Sequence, residues 1–374
     1  MSAGLRTAGV AGAALGAVAA GVVLERLTAG KVRRKARLAL DAEGPYGTLR
    51  GTPGTVRAED GTELYYETEE AAEPEAGAAQ EPPLTVVFTH GYCLGQDSWH
   101  FQRAALREDG RVRAVYWDQR SHGRSARGPV GEEVAIDLLG RDLKAVLDAA
   151  VPEGPVVLVG HSMGGMTLMA LAEQYPGYVA ERVVGVALLD TSAGGLGEVT
   201  YGLPAPGVRA VRRAVPGVLR ALGKQPELVE RGRRATADLF AGLVRRCSFG
   251  APGEVDAGVA RFAERLIESV PVDVVAEFYP AFTEHERTAA LAAFDGIPAL
   301  VLAGDRDLLT PPGHSERIAE ALPAAELVLL PETGHLSMLE RPGEVSRSIA
   351  ELLARTIRTQ GRVARGTPPG PPAG

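Results

Sequence analysis

Cysteine is scarce in this chain of 374 residues. There are 2, Cys93 and Cys247, far apart and outside any CxxC or Cys/His cluster. Their number and spacing exclude a disulfide framework and a structural zinc site, and two lone thiols fit a reducing compartment. An excess of positive charge is missing too. The 40 Lys and Arg against 47 Asp and Glu leave a net charge of −7, so no nucleic-acid partner is expected. Internal repeats are absent. So is a long hydrophobic run: the uncharged stretch from Ala8 to Leu24, mostly Ala and Gly, falls just short of the roughly 18 apolar residues of a spanning helix.

That stretch ends at Glu25 and Arg26, and a basic run of Lys31, Arg33, Arg34, Lys35 and Arg37 follows. Three readings compete: a membrane anchor, a signal peptide with Arg6 as its basic start and Ala17-Val18-Ala19 as its cleavage site, and an interfacial helix. The anchor is preferred. The positive-inside rule then places the basic flank and the domain behind it on the cytoplasmic side. On the signal-peptide reading the protein is secreted.

What is present is a globular chain, 45% hydrophobic, long enough for two domains or one large domain with an insertion. Thr55 to Glu59 and Glu63 to Thr68 read as strands joined at Asp60-Gly61. Glu69 to Pro83, rich in Ala, Glu and Pro, reads as an exposed loop. Leu84 to His90, Arg113 to Trp117, Pro155 to Val159, Val183 to Leu189, Ala299 to Ala303 and Glu326 to Leu330 are short apolar runs suited to buried parallel strands. Helical patterns, such as Val134 to Ala150, lie between most of them. Such alternation argues for a parallel sheet with helices on both faces. From Ser192 to Phe294 no strand is visible, and a structureless loop of that length does not fit a compact domain. It is expected to be a helical insertion over one end of the sheet.

The sharpest motif is Gly160-His161-Ser162-Met163-Gly164-Gly165, directly after the Val156 to Val159 strand and opening a helix. This is a G-x-S-x-G nucleophile elbow in its required context. A tight strand-to-helix turn strains the nucleophile's backbone and demands small neighbours, hence Gly160 and Gly164. A serine hydroxyl needs a base. Of the 7 histidines, His335 follows the last strand, and loops after parallel strands converge on one sheet edge. His100, His285 and His314 are read as structural, and His161 as shaping the elbow. The orienting carboxylate is expected at Asp307, at the far end of Gly304-Asp-Arg-Asp307. Asp190, after the sixth strand, stays open as a second source. The order Ser162, Asp307, His335 is a known triad order. The backbone N–H groups of Met163 and Tyr92 are the candidate donors to a developing oxyanion, and Cys93 is read as packing.

Together with His90-Gly91, Asp118-Gln-Arg-Ser-His-Gly-Arg-Ser125 and Glu340-Arg-Pro342, these motifs resemble the α/β-hydrolase fold family over roughly Thr55 to Arg358. Ser121 stands where the family's second motif has its first glycine, a departure that bears on the local turn and not on the triad. The resemblance implies an α/β fold: a doubly wound, mostly parallel eight-stranded sheet with a helical cap insertion. The expected organisation is an N-terminal segment over residues 1–40, core over 41–191, cap over 192–294, core over 295–360 and a disordered tail over 361–374. Serine at the elbow argues against epoxide and halide chemistry, which relatives run on aspartate. A carboxylic-ester hydrolase with a triad and no cofactor is expected, acting on a small molecule with an apolar acyl group. Phe278, Tyr279 and Phe282 either line that site or pack cap to core. The alternatives are a C–C hydrolase, a cofactor-free perhydrolase, or a non-catalytic binding protein on this fold.

Overall fold

A strand covered on both faces reads as a continuous apolar run, and this chain has six such runs between Leu84 and Leu330. In the computed structural model, which describes residues 46–72, 83–129, 134–199 and 244–364, the strands are β1 (Thr52–Arg57), β2 (Glu63–Glu69), β3 (Thr85–Thr89), β4 (Arg113–Trp117), β5 (Val156–His161), β6 (Val183–Leu189), β7 (Ala299–Gly304) and β8 (Glu326–Leu330). They form one eight-stranded sheet in the order β1-β2-β4-β3-β5-β6-β7-β8. β1 pairs antiparallel with β2, and β2 with β4; all other pairs are parallel. Every residue of β3, β5 and β7 is buried.

The period of two divides each central strand between two cores. Val87, Val115, Leu158, Leu188 and Val301 face one side, where α2 (Ile136–Ala150) and α3 (Met163–Gln174) supply Leu143, Leu147, Leu168 and Leu171. Phe88, Tyr116, Val159, Leu189 and Leu302 face the other, covered by α1 (His100–Asp109) and by Val345, Ile349 and Leu352 of α9 (Pro342–Ala364). This is the expected doubly wound architecture. The remaining helices are α4 (Pro176–Arg182), α5 (Ala257–Glu268), α6 (Val272–Thr283), α7 (Gly313–Ala321) and α8 (Ser337–Glu340).

The expected first strand, Thr55 to Glu59, begins three residues earlier, because its span is set by pairing with β2, Thr52 opposite Thr68. The elbow strand runs on through His161. Among the described residues of the insertion there is no strand, and α5 and α6 are helical. The apolar segment Ala8 to Leu24, most of the Glu69 to Pro83 loop, residues 200–243 and the expected tail beyond 364 lie outside the described residues. Among the described residues, no helix is long and apolar enough to cross a membrane.

Two features of this sheet position the site. β3 lies between β4 and β5, with Thr89 opposite Gly160. The chain leaves β3 and β5 toward opposite halves of the sheet, which opens a crevice at their C-terminal ends. The turn after β4 then props one wall of that crevice. The Asp118 carboxylate accepts from the Gln96 amide at 2.7 Å and the Arg124 amide at 3.0 Å. Arg120 is buried in a fork on Asp142 (2.5 and 2.6 Å) and also reaches Asp60 at 2.6 Å. Gln119 donates its amide to His90 Nε2 at 2.9 Å and its side-chain NH2 to the His90 carbonyl at 2.6 Å.

Ser121 does not break this turn; it takes the left-handed conformation itself, at φ 64°, with Gly123 at φ 54°. A left-handed residue other than glycine costs about 1–2 kcal/mol, partly offset by the roughly 0.5–1 kcal/mol of extra chain entropy that glycine loses. Ser121→Gly is therefore expected to raise the unfolding free energy by about 0.5–1 kcal/mol. Gly123→Ala is expected to lower it by at least about 2 kcal/mol, because its new Cβ would fall 2.2 Å from the Asp118 carboxyl carbon. Urea unfolding at unchanged slope checks both.

Candidate active site

β5 ends in a turn that ordinary residues avoid. Ser162 sits at φ 53° and ψ −119°, and α3 starts at the next residue. The turn is possible only because the chain passes itself closely here. A Cβ on Gly160 would lie 2.7 Å from the Gly164 backbone, and one on Gly164 would lie 2.2 Å from the Thr89 carbonyl oxygen. Hydrogen bonds hold the strained residue. The Ser162 amide donates to the Leu189 carbonyl at 2.9 Å, and the Ser162 carbonyl accepts from the Gly165 amide at 2.9 Å and the Thr191 hydroxyl at 2.7 Å.

His335 reaches this serine from the loop after β8. Its Nε2 lies 2.9 Å from Ser162 Oγ. Two groups fix the loop. His161 Nε2 donates to the His335 carbonyl at 2.8 Å. The Glu340 carboxylate accepts from the Gly334 amide at 2.7 Å and from the Gly250 and Ala251 amides at 3.1 Å. Glu340, legible in the sequence only as part of a motif, thus ties the histidine loop to the insertion.

The choice between carboxylates is made by burial and direction. Asp305 is exposed, and its Oδ1 accepts weakly from the Thr333 amide at 3.3 Å. Asp307 is buried and lies 2.7 Å from His335 Nδ1 through Oδ2. Its Oδ1 accepts from the Leu309 and Thr310 amides at 2.7 and 3.0 Å. Asp190, the other candidate, makes no hydrogen bond to the imidazole among the described residues. It accepts from the Gly304 amide at 2.9 Å and from the Ser337 hydroxyl.

Thr310 belongs to none of the sequence motifs. Its hydroxyl lies 2.7 Å from Asp307 Oδ2 and 2.9 Å from the Asp190 carbonyl. The only local signal is an aspartate followed by residues whose amides close an Asx turn on it.

Electrostatics separate the four histidines around the crevice. Burial pushes His90 down to about 4, and burial with a neighbouring histidine pushes His122 and His161 down to about 3. Burial pulls His335 the same way, but the charge and hydrogen bond of Asp307 outweigh it and hold His335 above its ordinary value. Burial likewise works against Asp307, and the His335 charge with hydrogen bonds from His335 and Thr310 keeps it below the usual carboxylate range. Burial, reinforced by the Asp307 charge, pushes Asp190 up to about 8. At neutral pH one anion, Asp307, faces the imidazole.

The two expected oxyanion donors flank the serine. Met163 follows it in the chain. The loop carrying Tyr92 touches it: a Cβ on Gly91 would lie 3.1 Å from Ser162 Cβ. Among the described residues neither the Tyr92 nor the Met163 amide finds an acceptor. Cys93 donates its amide to His122 Nε2 at 3.2 Å. His100 accepts from the Gly47 amide, His285 bonds the Ser192 carbonyl, and His314 lies 2.7 Å from the Ser192 hydroxyl. Phe278 is fully buried on α6 and packs with Met163 and Met166 of α3, while Tyr279 is half-buried.

Comparison with known proteins agrees with this architecture. The chain is 27% identical over 283 residues to the dihydrolipoyllysine-residue acetyltransferase component of the acetoin cleaving system of Pseudomonas putida, spanning 75% of this chain and 66% of that protein. It is 27% identical over 275 residues to the sn-1-specific diacylglycerol lipase ABHD11 of Mus musculus, spanning 72% of this chain and 80% of that one. The solved structure of the enol-lactonase from Burkholderia xenovorans superposes with a TM-score of 0.61 at 25% identity, covering 80% of this chain and all of that one (100%). The sequence profile described as alpha/beta hydrolase fold matches residues 85–342, from the first buried strand to the end of the Glu340-Arg-Pro342 motif, and on that match the chain is a hydrolase belonging to the α/β-hydrolase fold family.

Proposed function

We propose that the chain is a carboxylic-ester hydrolase that works through an acyl-enzyme on Ser162, with His335 and Asp307 completing a catalytic triad. The observation that carries this reading is the continuous chain of contacts from Ser162 Oγ through His335 to Asp307, at 2.9 and 2.7 Å. His335 Nδ1 donates to the Asp307 carboxylate, which leaves Nε2 unprotonated toward the serine. As Ser162 attacks the acyl carbon, Nε2 takes its proton, and the imidazolium gains the full attraction of Asp307. The amides of Tyr92 and Met163 receive the carbonyl oxygen as it becomes anionic. His335 then passes its proton to the leaving alcohol. Water enters and attacks the acyl carbon while His335 takes its proton, and as the second tetrahedral species collapses to the acid His335 returns that proton to the departing Ser162 Oγ. Every step uses this chain's side chains and amides and water.

Two relatives are named a diacylglycerol lipase and an enol-lactonase, and both names favour an ester over the other scissile bonds. The proposed substrate is a small molecule with an apolar acyl group. The insertion over 192–294 would act as a cap on core segments 41–191 and 295–360, flanked by an N-terminal segment over 1–40 and a tail over 361–374. Ala8 to Leu24 is proposed to associate with the membrane and to leave the hydrolase on the cytoplasmic side.

Ser162→Ala is expected to lower kcat on p-nitrophenyl esters by at least about 10⁴-fold; turnover at the parent rate would contradict the proposal. His335 is held above its ordinary value by Asp307, and only neutral His335 can accept the proton. Activity is therefore expected to rise with pH through a value above 6.5, the histidine reference. Asp307→Asn is expected to reduce kcat about 10⁴-fold. It should also move the remaining acid limb to lower pH, since burial then acts on His335 without its partner. For the N-terminus, removal of residues 1–37 is expected to shift the enzyme from the membrane fraction to the soluble fraction of disrupted cells; an unchanged distribution would refute the anchor.

A further inference from the structure

Tyr92 belongs to two structures at once. Its backbone follows Gly91 against the serine, while its side chain leaves the crevice and ends on the insertion. The Tyr92 hydroxyl donates to the Val275 carbonyl of α6. Its ring stacks on Phe278 at 6.2 Å and 25°, and meets Phe282 edge-on at 4.9 Å and 63°. Burial keeps the phenol above its ordinary value, so it stays a donor. On the core side, His122 meets Phe278 at 5.0 Å and 85°, and Arg127 pairs with Asp273 at 2.5 Å and Glu277 at 3.2 Å. One helix is therefore seated on the core through a tyrosine hydroxyl, an aromatic cluster and an ion-pair fork.

The loop that carries Tyr92 does not hold its shape unaided. Cys93, next in the chain, sits at φ 59°, a left-handed conformation that costs a side-chain-bearing residue about 1–2 kcal/mol. An oxyanion donor is effective only within a few tenths of an ångström of its productive position. With two side-chain torsions and contacts on several sides, a held tyrosine ring transmits its position to its own backbone.

We propose that Tyr92 is a positioning residue that couples the seating of α6 to the oxyanion donor: its hydroxyl and ring, held by Val275, Phe278 and Phe282, set the Tyr92 amide against Ser162. The inference rests on the serine-hydrolase reading given above. It adds that the oxyanion site is complete only while α6 is seated, so a substrate that displaces α6 on entry is turned over once the helix returns.

The test is the rate at which a fluorophosphonate probe labels Ser162 in the full chain, with the thermal midpoint measured in parallel. The probe develops a P–O⁻ that needs the same donors. Tyr92→Phe keeps the ring and removes the hydroxyl, and labelling is expected to slow about tenfold, short of the roughly 10²–10³ for outright loss of a donor. Arg127→Gln loosens α6 from the exposed side and is expected to slow labelling about threefold, an order-of-magnitude figure on the same scale. The double variant is expected to be no slower than Tyr92→Phe alone, because both act through one helix. Labelling of either single variant at the wild-type rate, with only the thermal midpoint lowered, would overturn the proposal, as would losses that multiply. Should Tyr92→Phe fail to fold, Arg127→Gln decides by the same criterion. A wild-type chain that is not labelled at all would instead refute the hydrolase reading itself, and the coupling with it.

Discussion

A buried imidazole in this crevice is driven to neutrality, as His90, His122 and His161 show. At His335 the contact between Nδ1 and Asp307 Oδ2 is the largest of the influences that reverse that drive. A base that must accept a proton at each turnover needs a partner for the charge it acquires, and in a dry site the partner has to be preorganised. Asp307 meets that demand because its own charge is already paid for locally, by two backbone amides and the Thr310 hydroxyl. Asp190 does not, because burial beside Asp307 favours its neutral form. Two carboxylates near one imidazole are thus sorted by environment into an anion and a structural hydrogen-bonding group.

The sheet brings these groups together at little cost. Ser162, Asp307 and His335 lie on loops that follow β5, β7 and β8, and parallel strands deliver those loops to one edge. The remaining precision comes from contacts distant in sequence. Gln119 holds the loop after β3 through His90, His161 holds the histidine loop through a carbonyl, and Glu340 gathers three amides from that loop and the insertion. Each polar group bridges segments far apart in the chain, and such bridges specify one arrangement more sharply than apolar packing does.

Much of this was legible in the sequence because its signals are local. Arg113 to Trp117, Val183 to Leu189 and Glu326 to Leu330 were read at their observed bounds, being β-branched apolar runs closed by turn or helix signals. The elbow was legible because its glycines answer a steric demand within six residues. β1 was misplaced by three residues, since an exposed edge strand takes its span from its partner and not from its own pattern. Chain order does not separate Asp307 from Asp190, since both lie between Ser162 and His335, and the separation of Asp307 from Asp305 is a matter of burial that no spacing reveals. Thr310, Gln119 and the carboxylate of Glu340 act across folds of the chain. The insertion was read as helical from what it lacks, and its partnership with Tyr92 has no trace in periodicity.

The central claim is that Asp307 keeps one buried histidine basic among several that are not. A ¹⁵N NMR titration of histidine-labelled protein tests it most directly. The account predicts that His335 titrates above 6.5, that His90, His122 and His161 stay neutral to well below that pH, and that Asp307→Asn removes the distinction. A wild-type His335 that stays neutral with its neighbours through the same range would contradict it.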